Sequence, residues 1–118
     1  MQYQSDYVLR LIEQLGGLVR RAVEMLRLGS DEETYELAEE AIGLALDIDP
    51  QLAARLSPQS LASLLEMNNL DDRVIELVGK ALAIQGDALE RVGELMQANI
   101  RRQQSAAVLA LLNPDRAN

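Results

Sequence analysis

The sequence contains no cysteine, no histidine, no tryptophan and no phenylalanine. Each absence removes an option. Without thiols there is no disulfide framework, no thiolate nucleophile and no sulfur ligand for a metal. Without imidazole, the side chain that titrates near neutral pH and most often binds metals is also missing. Carboxylates, hydroxyls, Lys and Arg remain, and carboxylate pairs could in principle serve acid–base work. Asp31, Glu32 and Glu33, followed by Glu36, Glu39 and Glu40, recur on adjacent helical turns and read as a solvated acidic face. The Glu-x-x-His pattern of carboxylate-bridged metal sites is absent. The expectation is a chain with no catalytic residue, no metal and no cofactor, and so not an enzyme.

Positive charge is also scarce. Eleven Lys and Arg face nineteen Asp and Glu, a net charge of −8. Such a chain repels phosphate backbones and anionic lipid, so neither nucleic acid nor membrane is an expected partner. No run of eighteen apolar residues is present, and the polar stretch from Met1 to Asp6 does not read as a secretory leader. A cytoplasmic location is the expectation.

What is present is helix-forming material. Hydrophobic residues make up 48% of the chain, and they are mostly Leu and Ala rather than β-branched or aromatic, which favours helices over sheets. At 118 residues the chain reads as one domain, residues 1–118, with frayed ends at 1–5 and 114–118.

Val8, Leu11, Ile12, Leu15, Leu18, Val19, Ala22 and Leu26 recur at three- and four-residue steps and predict a first helix. Ser5 or Asp6 would cap it. Gly16-Gly17 falls inside this pattern and not after a strand, so it is no phosphate loop. It marks a bend or a close helix contact. Gly29 ends the helix. Ser30 with Glu33 makes a capping-box pattern for a second helix, which Pro50 stops. A short turn follows over residues 51–56. Ser57-Pro58 starts another helix, Asn68-Asn69 breaks it, and Asp71 or Asp72 caps the next. Gln85-Gly86-Asp87 reads as a turn, leaving a last helix from Ala88 to Leu112, closed by Asn113-Pro114.

The segments Glu40–Ile48 and Glu76–Ile84 echo each other at an offset of 36 residues, with Gly43 matching Gly79, Ala45 matching Ala81 and Leu46 matching Leu82. The run Ala45-Leu46-Asp47-Ile48-Asp49-Pro50 resembles the end of a tetratricopeptide repeat, and the offset is near that repeat's period. The aromatic and Gly-Tyr positions of such a repeat's first helix are missing. Tyr7-Val8-Leu9-Arg10-Leu11-Ile12-Glu13-Gln14, a Tyr-x-x-Arg-x-Ile-Glu-Gln pattern, resembles the opening of a family of short bacterial helical proteins without an assigned function. These resemblances imply an all-α, TPR-like fold and bring no activity.

The expected architecture is all-α: five to six helices in antiparallel hairpins, as a TPR-like array or an irregular bundle. The expected function is a non-enzymatic protein-interaction or scaffolding module. A structural homo-oligomer is the alternative, and a small-ligand carrier or enzyme is a third. Candidate binding residues are Arg10, Glu13 and Gln14 from the N-terminal signature, together with Arg20, Arg21 and Arg101. The basic dyads Arg20-Arg21 and Arg101-Arg102 also read as ion-pairing partners for neighbouring acids. The segment Ala106–Leu112 is apolar almost all round and needs cover on several sides. Val108, Leu109, Leu111 and Leu112 are therefore the candidate self-association residues of a homodimer.

Overall fold

A computed structural model describes residues 2–112, with side chains from residue 6 onward. The expected stop at Asn113-Pro114 and the frayed end at 114–118 lie outside the described residues. Six α-helices follow one another: α1 (Gln2–Arg27), α2 (Asp31–Leu46), α3 (Pro50–Arg55), α4 (Pro58–Met67), α5 (Asp72–Arg91) and α6 (Leu95–Leu109). A 3-10 turn, Ala110–Leu112, closes the series. No strand occurs among the described residues. The fold is an all-α helical bundle.

α5 lies at its centre. α1, α2, α6 and the terminal turn all pack against α5, while α4 packs mainly on α6. Leu15, Val19 and Ala22 of α1 enter the core, as do Ala38, Ile42 and Leu46 of α2. α5 contributes Val74, Val78, Ala81 and Leu82, and α4 contributes Leu61 and Leu65. Full burial of each Leu, Ile or Val side chain among these stabilises the fold by roughly 1.5–3 kcal/mol.

Several helix ends follow the local chemistry of the sequence. At the end of α1, Gly29 takes φ +87°. Its N–H donates to the Leu26 carbonyl and the Ser30 N–H donates to the Met25 carbonyl. This is a Schellman closure, in which glycine accepts the left-handed conformation without a Cβ clash. The side chain of Ser57 accepts from the Ser60 N–H, with Pro58 in the first turn. The Asp71 carboxylate accepts from the Arg73 N–H. Hydrogen bonds from the Arg73 side chain, and then from its backbone N–H, hold the Asp71 carboxyl below its ordinary pKa.

Other ends depart from expectation. α1 begins at Gln2, ahead of the anticipated caps. Ser30 stands at the N-cap of α2, but its side chain makes no capping bond. Instead its carbonyl accepts from the Thr34 hydroxyl at 2.7 Å. The largest change concerns Gly86. It does not stop a helix; α5 continues through it to Arg91, and the turn falls at Gly93, φ +87°. There the Glu94 N–H donates to the Leu89 carbonyl and the Gly93 N–H to the Glu90 carbonyl, a second Schellman closure. The reason is tertiary. A Cβ on Gly86 would sit 3.3 Å from the Ala98 carbonyl oxygen and 3.0 Å from Arg102 Cγ. Glycine is used here to let α6 cross closely, not to break α5.

Gly16-Gly17 behaves in the opposite way. A Cβ on Gly17 would meet nothing within 4 Å, and one on Gly16 would meet only the tip of Arg20. Neither glycine admits a neighbouring helix. Each retains the entropic penalty of a mid-helix glycine with no packing gain. Gly17→Ala is therefore expected to stabilise the protein by about 1 kcal/mol, read as a higher urea midpoint at an unchanged slope.

Candidate functional site

The buried face of α6 is Ala98, Arg101, Gln104, Ser105 and Val108. The spacing is helical, yet three of these five core positions are polar. Buried polar groups persist only when hydrogen-bonded, so their partners define what this face does. Ser105 donates to the Gly79 carbonyl at 2.7 Å. Gln104, with 0% exposure, donates its amide to the carbonyls of Ala53 (3.3 Å), Ala54 (3.3 Å) and Leu56 (2.8 Å). These carbonyls lie at the C-terminal end of α3, where a helix runs out of backbone donors; that of Ala53 also accepts from the Leu56 N–H.

Arg101 is only 7% exposed. Its Nε donates to Gln85 Oε1 at 3.2 Å, and its Nη1 donates to the Ala54 carbonyl at 3.3 Å and to Gln104 Oε1 at 3.4 Å. Its Nη2 donates to the Tyr35 hydroxyl at 3.1 Å. Gln85 in turn donates to the Tyr35 carbonyl at 3.3 Å. One guanidinium thus ties together α2, α3, α5 and α6. Every partner is neutral. Among the described residues no carboxylate comes within the 4.0 Å that defines an ion pair with it.

Two connected hollows open above this network. A groove of about 450 Å³ runs between α2, the end of α5 and the start of α6, lined by Asp31, Glu32, Tyr35, Glu36, Ala88, Leu89, Val92 and Gln97. A cavity of about 350 Å³ adjoins it and shares Tyr35 and Gln97. Its remaining walls are Glu39, Gln51, Ala54, Arg55, Ile100 and Arg101. The groove floor is apolar and its α2 rim is acidic. Val92, which caps the end of α5 in the groove wall, is 58% exposed. Beyond the Gly93 turn, Met96 and Ile100 lie one turn apart on α6 and are exposed by 80% and 38%.

The sequence-derived candidates do not converge. Arg10, Glu13, Gln14, Arg20 and Arg21 are exposed on α1, which packs on α2 and α5. None of the three arginines makes an ion pair among the described residues. The second dyad splits. Arg102 pairs with Asp87 at 2.9 Å and with Glu90 at 2.6 Å. Those bonds, Asp87 first, raise its pKa above the ordinary arginine value. Arg101 turns inward instead.

The apolar tail also finds its cover at home. Val108 has no exposed surface, and Leu109, Leu111 and Leu112 are half-buried, the last two against the core. Gly79 makes this possible, since a Cβ there would overlap Leu109 Cγ and Cδ2. Val108 is therefore a core residue of its own chain rather than a contact for a second copy.

Tyr35, Gln85, Gln97 and Gln104 were not among the candidates. A signal was present: Arg101, Gln104 and Ser105 continue the spacing set by Ala98 and Val108, so polar residues occupy an apolar stripe.

Among the described residues no cluster of acids could hold a metal ion. No helix there is long and apolar enough to cross a membrane. No family model, no curated protein and no solved structure matches this chain.

Proposed function

We propose that the chain is a non-enzymatic protein-interaction module whose α2–α5–α6 groove receives an amphipathic helical segment carrying basic residues. The observation that carries this reading is the apolar groove floored by Ala88, Leu89 and exposed Val92 and rimmed by Asp31, Glu32 and Glu36. An open apolar groove with a polar rim is the usual mark of an interaction surface. A helix lying in a groove presents its own apolar stripe to such a floor. The acids select a basic flank and steer its approach. The occupant is a foreign segment, because the chain's own apolar tail is already packed against α5.

A 14-residue Leu/Lys amphipathic peptide and its Leu/Glu counterpart are suitable probes, titrated into the isotopically labelled protein. The Leu/Lys peptide is expected to shift amide resonances of Tyr35, Leu89, Val92 and Gln97 and to weaken as salt is added. The double reversal Glu32→Lys with Glu36→Lys should weaken it by roughly tenfold, from two rim charges of up to about 1 kcal/mol each. Equal binding of the Leu/Glu peptide, or shifts scattered over α1 and α4, would refute the reading.

A further inference from the structure

We propose that the cavity beside Arg101 is a binding subsite for a carboxylate. It adjoins the docking groove through Tyr35 and Gln97, but the argument for it stands on the buried charge alone.

An arginine residue only 7% exposed has lost most of its hydration. Removing such an ion from water is unfavourable unless an anion or enough acceptors replace the solvent. Arg101 has neutral acceptors for four of its five N–H groups. The fifth, on Nη2, has no acceptor among the described residues. The Tyr35 hydroxyl accepts from the same Nη2, so its own proton is unused. Both residues line the 350 Å³ cavity. Arg55, exposed and without an ion pair among the described residues, stands on the same wall, with the amides of Gln51 and Gln97.

The cavity thus gathers two guanidinium groups, a phenolic O–H and two amides around one acid, Glu39. Planar guanidinium groups match the two oxygens of a carboxylate. Ile100 and Ala54 supply an apolar wall for the carbon skeleton attached to it. The carboxylate has two possible sources, a free small organic acid or the chain terminus of a peptide lying in the groove.

The test follows the Arg101 Nε–Hε resonance while four probes are added: propionate, N-acetyl-Leu-Ala with a free C-terminus, the same dipeptide amidated, and chloride. Propionate and the free acid should shift the resonance, whereas the amide and chloride should not. A dipeptide acid binding at least about tenfold tighter than propionate identifies a chain terminus as the source. Comparable affinities identify a free small acid.

Arg101→Lys keeps the charge and loses the fork, so binding should be lost. If that variant does not fold, two wall substitutions decide. Glu39→Gln should tighten carboxylate binding about threefold and Arg55→Gln should weaken it about threefold, the scale of a single partly exposed charge. A resonance that chloride moves as far as propionate does overturns the proposal. So does equal binding of acid and amide, or a silent resonance at tens of millimolar propionate. Leu89 and Val92 report on the groove alone and the Arg101 Nε–Hε on the cavity, so either site can fail while the other stands.

Discussion

Gln104→Leu is expected to destabilise the protein by about 2–4 kcal/mol, although leucine has nearly the same volume and suits a helix. The loss lies at the other end of the hydrogen bonds. The Gln104 amide donates to three carbonyls at the end of α3, and that of Leu56, at 2.8 Å, makes the shortest of these bonds. A leucine leaves that oxygen facing hydrocarbon. It also removes Oε1, one of the four acceptors around Arg101. An unmet buried acceptor exacts its desolvation in full, whereas a made hydrogen bond is only modestly stabilising. Equilibrium urea unfolding would measure the change. A leucine variant as stable as the parent would show that α3 does not depend on this side chain.

Leu82→Ala is expected to cost a comparable or larger amount, about 2–5 kcal/mol. Leu82 is 2% exposed at the middle of α5, the helix against which α1, α2 and α6 pack. Its removal opens a void that packed helices refill only in part. For a chain of this size such a loss lowers the thermal midpoint by on the order of 10–20 °C. It is also a large fraction of a typical total stability. Met67→Ala is the control, because Met67 is 82% exposed and its truncation should change stability by less than about 0.5 kcal/mol. Equal losses at the two positions would contradict the central place of α5.

Gly29, Ser57-Pro58 and Asp71 act within their own turns, so short stretches of sequence reveal them. Gly86 and Gly93 do not separate in the same way. Gln-Gly-Asp has the composition of a turn, and what keeps it helical is the passage of α6 beside it, a contact set by distant residues. Gly16-Gly17 misleads in reverse, suggesting a close neighbour where a Cβ on Gly17 would meet empty space.

The site was less legible than the fold. Arg101 and Arg102 are adjacent and chemically identical, and a helix turns successive residues by about 100°. One therefore reaches Asp87 and Glu90 at the surface while the other enters the core. The partners of Arg101 lie on α2, α3 and α5, and no periodicity within α6 names them. The groove is less legible still, because its rim comes from the start of α2 and its floor from the end of α5, segments brought together only by the finished bundle.

The network around Arg101 also bears on the order in which the chain can settle during synthesis. The carbonyls that Gln104 and Arg101 satisfy belong to residues 47 to 51 positions earlier. While a ribosome is still making α6, the end of α3 is complete but the carbonyls of Ala54 and Leu56 must remain in water. α1 and α2, joined by a three-residue turn, can pair early, as local contacts do. α3 cannot take its final place against α6 until residue 104 has emerged. α3 is thus settled only by α6, a helix made three helices later.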